Sequence, residues 1–252
     1  MHQINFEKFG QGSPLIIIHG LFGTLDNLKT VARQLSDEFT IYLVDLPAHG
    51  DSATPIPLTL GTMAEALSAF IATENIQSPA VLGHSLGGKV AMELALTSPS
   101  LISKLIVADI APVQYPRRHD QIINGLKSVD LSASKRQEAD AQLAKSISEP
   151  GVRAFLMKSF ARSDRGWRWK FDLDALSAAY DELVAGNKEG SYSQPTLFLM
   201  GGNSDYVTLK HKNEITARFS HVTSKVIQGT GHWLHAEKPA AFVKICRDFL
   251  AQ

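Results

Sequence analysis

Gly83-His84-Ser85-Leu86-Gly87 spells G-x-S-x-G, the pattern of a serine carried on a tight strand-to-helix turn. At ordinary glycine and serine usage the bare pattern recurs by chance in roughly one chain of this length in ten, so its surroundings decide what it means. Ala80-Val81-Leu82 before it suits a short buried strand, and Leu86 to Leu96 after it reads as a helix rich in small residues. A nucleophile elbow requires that order: the glycines let strand and helix approach, and Ser85 occupies a strained turn that presents its hydroxyl. The same stretch nearly spells a phosphate-binding loop, Gly83-(x4)-Gly88-Lys89, but the next residue is Val90. The Ser or Thr hydroxyl that would hold magnesium is missing, and the nucleotide-binding reading ends there.

Outward from the elbow, short apolar runs alternate with helical patterns. Leu15-Ile16-Ile17-Ile18 reads as a strand buried on both faces, and Leu28, Val31, Ala32 and Leu35 mark one face of a helix over Asn27 to Leu35. Thr40 to Val44 is a strand ended at Asp45-Leu46-Pro47, Met63 to Ile71 is helical, and Leu101 to Ala108 is strand-like. From about Val113 to Ser191 the rhythm stops. No strong strand run occurs there, and four amphipathic helices are expected. Their stripes are Ile122/Ile123/Leu126/Val129, a segment behind a Ser134–Gln137 capping box, Val152/Phe155/Leu156/Phe160 opened by Pro150, and Leu173/Leu176/Tyr180/Leu183 opened by Asp172. Alternation resumes with a strand over Thr196 to Met200, a helix over Lys210 to Phe219, a strand over Lys225 to Ile227 and a helix over Pro239 to Leu250. The pattern predicts an α/β fold: a mostly parallel sheet with helices on both faces, residues 1–112 and 192–252 forming the core and 113–191 a helical lid inserted in it.

The chain has 252 residues, 44% of them hydrophobic and 20% charged, which fits one large domain carrying an insertion. Its 25 Lys+Arg balance its 25 Asp+Glu, so no global charge draws it to nucleic acid. A single cysteine, Cys246, excludes an internal disulfide, is expected to pack against the sheet, and leaves no cysteine cluster for structural zinc. Met1 to Phe6 lack the apolar run of a signal peptide, and Leu15 to Ile18 is far short of the roughly 20 residues that span a bilayer. A cytoplasmic protein without a membrane span is expected. Between Arg153 and Lys170, the basic residues Arg153, Lys158, Arg162, Arg165, Arg168 and Lys170 face one acid, Asp164, with Phe155, Phe160, Trp167 and Trp169 interleaved. This stretch reads either as a solvated helix face over an apolar stripe or as a basic collar for an anionic substrate such as a coenzyme A ester.

A serine hydroxyl attacks a carbonyl only when a base removes its proton. On a sheet with this elbow the partners follow in the order serine, acid, histidine. His232, between Gly231 and Trp233 on the loop after the last strand, is the expected base, ahead of His235. Two aspartates stand just after strands between them: Asp109 ends the Leu101–Ala108 run, and Asp205 follows Thr196–Met200. Either carboxylate is placed to reach the imidazole, with Asp205 as a second partner if Asp109 is the first. The oxyanion of the intermediate needs two backbone N–H donors. Leu86 supplies one, and the turn His19-Gly20-Leu21-Phe22-Gly23 the other, with Leu21 the first choice and Phe22 the second. His84 and Trp233, beside the nucleophile and the base, are candidate substrate contacts.

Four motifs in this order resemble the α/β-hydrolase superfamily over nearly the whole chain: His19 to Gly23, Asp45-Leu46-Pro47-Ala48-His49-Gly50-Asp51-Ser52, the Ser85 elbow, and Gly231-His232-Trp233 running to Pro239. Asp109-Ile110-Ala111-Pro112-Val113, Arg117-Arg118-His119-Asp120 and Gly201-Gly202-Asn203-Ser204 are similar to the small YbfF-type esterases. The resemblance implies a helical lid over a Ser-His-Asp site, no cofactor, and hydrolysis of carboxylic esters or acyl-CoA thioesters through an acyl-enzyme. In that group the residue matching Asp205 need not be acidic, which favours Asp109. Composition and spacing alone give only a serine hydrolase, so a carbon–carbon bond hydrolase or lyase with the same triad, and a ligand-binding member with little turnover, stay open. The expected partner is a small-molecule acyl ester, and the expected state a monomer or homodimer with no metal.

Overall fold

The computed structural model describes residues 3–164 and 166–252; Met1, His2 and Arg165 lie outside the described residues. Among the described residues the strands run β1 (Phe6–Gly10), β2 (Ser13–Ile18), β3 (Phe39–Val44), β4 (Ala80–His84), β5 (Lys104–Ala108), β6 (Phe160–Ser163), β7 (Gly166–Trp169), β8 (Thr196–Gly201) and β9 (Val222–Ile227). The helices are α1 (Lys29–Leu35), α2 (Leu60–Thr73), α3 (Leu86–Thr97), α4 (Asp120–Lys127), α5 (Arg136–Leu143), α6 (Pro150–Lys158), α7 (Leu173–Ala178), α8 (Tyr180–Leu183), α9 (Lys212–Arg218), α10 (Leu234–Glu237) and α11 (Pro239–Leu250).

Seven strands form one sheet in the order β1-β3-β2-β4-β5-β8-β9, parallel throughout except β1, which pairs antiparallel with β3. The aliphatic run of β2 shows why the sheet is covered twice. Ile16 and Ile18 belong to the cluster that includes Met63 and Leu67 of α2 and Val90 and Leu94 of α3, whereas Leu15 and Ile17 face Val31 and Leu35 of α1 and Phe242 and Cys246 of α11. Burying each such side chain stabilises the fold by about 1.5–3 kcal/mol, which is why the strand carries no polar position. Parallel pairing also delivers the ends of β4, β5, β8 and β9 to one edge of the sheet, where α/β proteins place their sites.

Between β5 and β8 the chain forms α4 to α8 and a separate antiparallel hairpin, β6–β7. The hairpin corrects the expectation of helices alone. Helix α6 stops at Lys158, and Phe160 opens a strand whose ring stacks on Trp167 (centroids 5.0 Å, 11°) and meets Trp169 at 4.7 Å. Trp167 and Trp169 alternate along β7, a period-two placement that a helix would split across its surface. Lys135, not Ser134, is the N-cap of α5; the Ser134 amide instead donates to Glu138 Oε2 at 3.0 Å. Pro150 does open α6, and Asp172 caps α7 by accepting the Ala175 amide at 3.0 Å.

The inserted segment is tied to the nucleophile helix by two buried side chains, each 2% exposed. The Lys89 ammonium donates to the Val113 carbonyl at 2.5 Å, where the chain leaves the sheet, and to the Ala185 carbonyl, where it returns. One turn along α3, the Glu93 carboxylate accepts from Asn187 Nδ2 at 2.9 Å and from the Lys188 amide at 3.2 Å. Burial pulls the Lys89 ammonium down to about 7. Further out, Ser159 donates its hydroxyl to the Phe22 carbonyl at 2.9 Å.

Candidate active site

Ser85 follows β4 with φ 53° and ψ −119°, a left-handed conformation that a side chain adopts only under constraint. Its amide donates to the Ala108 carbonyl at 3.0 Å, and a Cβ at Gly83 or Gly87 would strike the backbone of Gly87 or of Ile18 and His19. Backbone contact on both sides is what turns the hydroxyl outward. Ser85 Oγ lies 2.9 Å from His232 Nε2, and His232 Nδ1 lies 2.8 Å from Asp109 Oδ2. Asp109, fully buried and itself at φ 54°, also accepts the Gly201 amide at 3.1 Å and the Ser204 hydroxyl. The carboxylate only accepts, so Nδ1 carries the imidazole proton and Nε2 offers its lone pair to the serine.

The imidazole is held from two further directions. His84 Nε2 donates to the His232 carbonyl at 2.8 Å, and the Tyr206 ring lies flat on the His232 ring with centroids 3.9 Å apart and planes 16° apart. His84 supports His232 as well as bordering the cleft: it is 3% exposed, packed against His232 and His235, and its Nε2 is committed to backbone. Trp233 lines the cleft, its ring 5.7 Å from Phe155. Asp205 is not brought to the imidazole. After β8 the turn directs Ser204 inward to Asp109, and the Asp205 side chain, 73% exposed, pairs with Arg118 at 2.8 Å.

Phe22 is likewise corrected as an oxyanion donor, because its amide already donates to His49 Nε2 at 3.1 Å. Leu21 and Leu86 both face the space beside Ser85. As the first residue of α3, Leu86 has an amide without an intrahelical acceptor, at the positive end of the helix. The turn bearing Leu21 is fixed by groups whose roles the sequence did not reveal. His19 Nδ1 donates to the Gly20 carbonyl at 2.8 Å while Nε2 accepts the Leu46 amide at 3.0 Å, and His49 Nδ1 donates to the Pro47 carbonyl at 3.0 Å. Burial holds both rings neutral, His19 at about 4 and His49 at about 3. Asp45 accepts the Leu25 amide and Asn5 Nδ2, each at 2.7 Å. These residues stand in the His19 and Asp45 motifs, which mark the segments without disclosing the contacts.

Two cavities meet at Ser85 and Leu21. One includes Leu86, Ile110, Tyr115, Leu183 and Val184 in its walls; the other includes Ile122, Val152, Phe155, His232 and Trp233. His119 borders both, its Nδ1 2.7 Å from the Tyr180 hydroxyl and its Nε2 3.4 Å from that of Tyr206, and burial brings it down to about 4. Several side chains of the basic stretch are engaged with partners elsewhere in the chain. Arg153 reaches Asp140 at 3.4 Å, Arg168 Asp51 at 3.4 Å, Lys170 Asp26 at 3.7 Å, and Arg162 lies over Trp167. None of the basic side chains named for it lines either cavity among the described residues, and Arg165 lies outside those residues. No cluster of three or more metal-binding side chains occurs among the described residues, and no helix there is long and apolar enough to cross a membrane.

Residues 13–239 match the family model described as alpha/beta hydrolase fold. The chain is 38% identical to Esterase YbfF of Escherichia coli, covering 94% of this chain and 93% of that protein. It is 32% identical to an sn-1-specific diacylglycerol lipase of Mus musculus, covering 94% of this chain and 80% of the lipase. Among solved structures, a marine microorganism esterase superposes with a TM-score of 0.95 at 38% identity over 99% of this chain and 100% of that one.

Proposed function

The chain belongs to the alpha/beta hydrolase family, and from that premise we propose that it is a serine esterase in which Ser85, His232 and Asp109 form the triad and the segment 113–191 serves as the lid. The observation that carries the reading is the unbroken line from Ser85 Oγ through His232 to Asp109, at 2.9 and 2.8 Å. Its relatives include an esterase, a lipase and a solved esterase, so an oxygen ester is the substrate class the reading adopts. Arg153, Arg168 and Lys170 are paired with Asp140, Asp51 and Asp26, and none of the three lines either cavity, which weighs against a coenzyme A thioester.

In this mechanism Ser85 Oγ forms a bond to the carbonyl carbon as its proton passes to His232 Nε2. The carbonyl oxygen, now an anion, is received by the Leu21 and Leu86 amides. His232 returns the proton to the alkoxy oxygen, the carbon–oxygen bond breaks and the alcohol leaves. Water then repeats the sequence on the acyl-Ser85 ester. Asp109 keeps the proton on Nδ1 and stabilises the imidazolium. A p-nitrophenyl alkylphosphonate tests this directly: it should label the protein once, on the peptide containing Ser85, with esterase activity lost in proportion. Label on another residue, or full activity in Ser85→Ala, refutes the assignment.

A further inference from the structure

The two cavities that meet at Ser85 differ in what they offer the two halves of an ester. His232 and Trp233 line the second and not the first. Tyr206, which lines the first, lies flat against one face of the imidazole. The proton that releases the alcohol comes from His232 Nε2, so the departing oxygen must lie within hydrogen-bond reach of that nitrogen. Of the two cavities, the second is the one with His232 in its wall. Leu86, whose amide faces the carbonyl oxygen, and Ile110, Leu183 and Val184 behind it wall the first. Lys89 and Arg118 border the first cavity too, but the ammonium is committed to the Val113 and Ala185 carbonyls and the guanidinium to Asp205. What that cavity presents to a ligand is hydrocarbon.

Resting on the esterase reading, we propose that the cleft sorts the ester: an unbranched hydrocarbon acyl chain enters the cavity walled by Leu183 and Val184, and an apolar alcohol occupies the cavity walled by Phe155 and Trp233, with His119 the partition. In acylation the Oγ–carbon bond forms in the partition plane, the carbon–alkoxy bond breaks towards Trp233, and the serine proton ends on the alcohol. That cavity then empties. Water enters through it, gives its proton to His232, and its oxygen bonds the acyl carbon as Oγ leaves and recovers the proton. The acyl chain stays in its own cavity through both steps.

Two substrate series separate the halves: p-nitrophenyl esters from acetate to octanoate hold the leaving group constant, and alkyl acetates from methyl to hexyl hold the acyl group constant. Val184→Ala and Phe155→Ala change half-buried positions. Val184→Ala should raise kcat/KM for longer acyl chains relative to acetate by about fourfold per methylene newly admitted, with the chain-length profile of the alkyl acetates unmoved. Phe155→Ala should do the reverse. Crossed effects, or both variants moving both series, overturn the proposal. Wild-type protein carrying a hexylphosphonate on Ser85 gives an answer that needs no variant: the hexyl chain should lie against Val184 in a crystal structure, and density beside Phe155 refutes the assignment. Failure to form any Ser85 adduct sinks the esterase reading itself, which the selectivity results do not touch.

Discussion

Replacing Asp109 by Asn is the most demanding test of the triad. The fully buried carboxylate accepts three hydrogen bonds: from the Gly201 amide at 3.1 Å, the Ser204 hydroxyl, and His232 Nδ1 at 2.8 Å. Asparagine has one oxygen. The Gly201 amide can only donate, and it donates to Oδ1, whereas Ser204 and His232 share Oδ2; the asparagine oxygen therefore stays with Gly201, the NH2 takes the Oδ2 place facing Nδ1, and the Ser204 hydroxyl can rotate to accept from it. The imidazole must then carry its proton on Nε2, where it can no longer take one from Ser85. A wrong tautomer of this kind costs about 10⁴ in kcat, or about 5.4 kcal/mol of transition-state stabilisation. Asp205→Asn loses only an exposed ion pair with Arg118, worth about 0–1 kcal/mol to stability, and its kcat should stay within about threefold. Saturating p-nitrophenyl butyrate, with active protein counted by phosphonate titration and folding checked by circular dichroism, gives both numbers. A folded Asp109→Asn within tenfold of wild type, or a collapse confined to Asp205→Asn, would refute the tautomer argument.

Three further outcomes follow from the same contacts. Burial holds His19 and His119 at about 4 and His49 and His235 at about 3, against 6.5 for an exposed ring, so the unfolded chain takes up protons first as pH falls. Stability is complete above that value and is lost on the way down towards pH 4, by up to about 1.4 kcal/mol per pH unit for each ring; a urea midpoint that does not move between pH 7.5 and 5 would contradict this. Tyr206→Leu removes the ring stacked on His232 and should lower kcat by about two- to tenfold, and an unchanged kcat in the titrated enzyme would leave the stack without a catalytic part. Lys89→Met strands the Val113 and Ala185 carbonyls in a buried place and should cost about 2–4 kcal/mol in denaturant titrations, with faster proteolysis inside 113–191. An unaltered midpoint and cleavage pattern would argue that the ammonium ties nothing.

The parallel sheet was legible because its central strands are short aliphatic runs buried on both faces, which no amphipathic helix imitates over Leu15–Ile18. The elbow was legible for a related reason: close approach of two backbones forces glycine at fixed offsets around Ser85. Asp109 and Asp205 could not be separated on spacing, since each follows a strand that ends at the same edge. The choice depends on a left-handed residue at 109 and on Ser204 taking the inward position after β8, neither of which has a composition cue. Tyr206, His119 and Lys89 work through contacts with residues 24 or more positions away, beyond any local pattern. Within the hairpin over 160–169 the sequence places only Phe160, as the last member of the helical stripe that begins at Val152, and the pairing that makes it a strand is supplied by the facing strand.

The grip of Lys89 on Val113 and Ala185 makes the inserted segment a loop whose two ends share one socket. Once its ends are clipped together, a loop feels its own length only weakly, at about 0.6 kcal/mol per doubling. Chain-closure entropy therefore sets only a small penalty on shortening or lengthening the loops between the clipped carbonyls, while the helix that carries the clip keeps the serine at its other end in register. A descendant of this chain, natural or built, would acquire a new substrate range by changing the cartridge and leaving the socket alone.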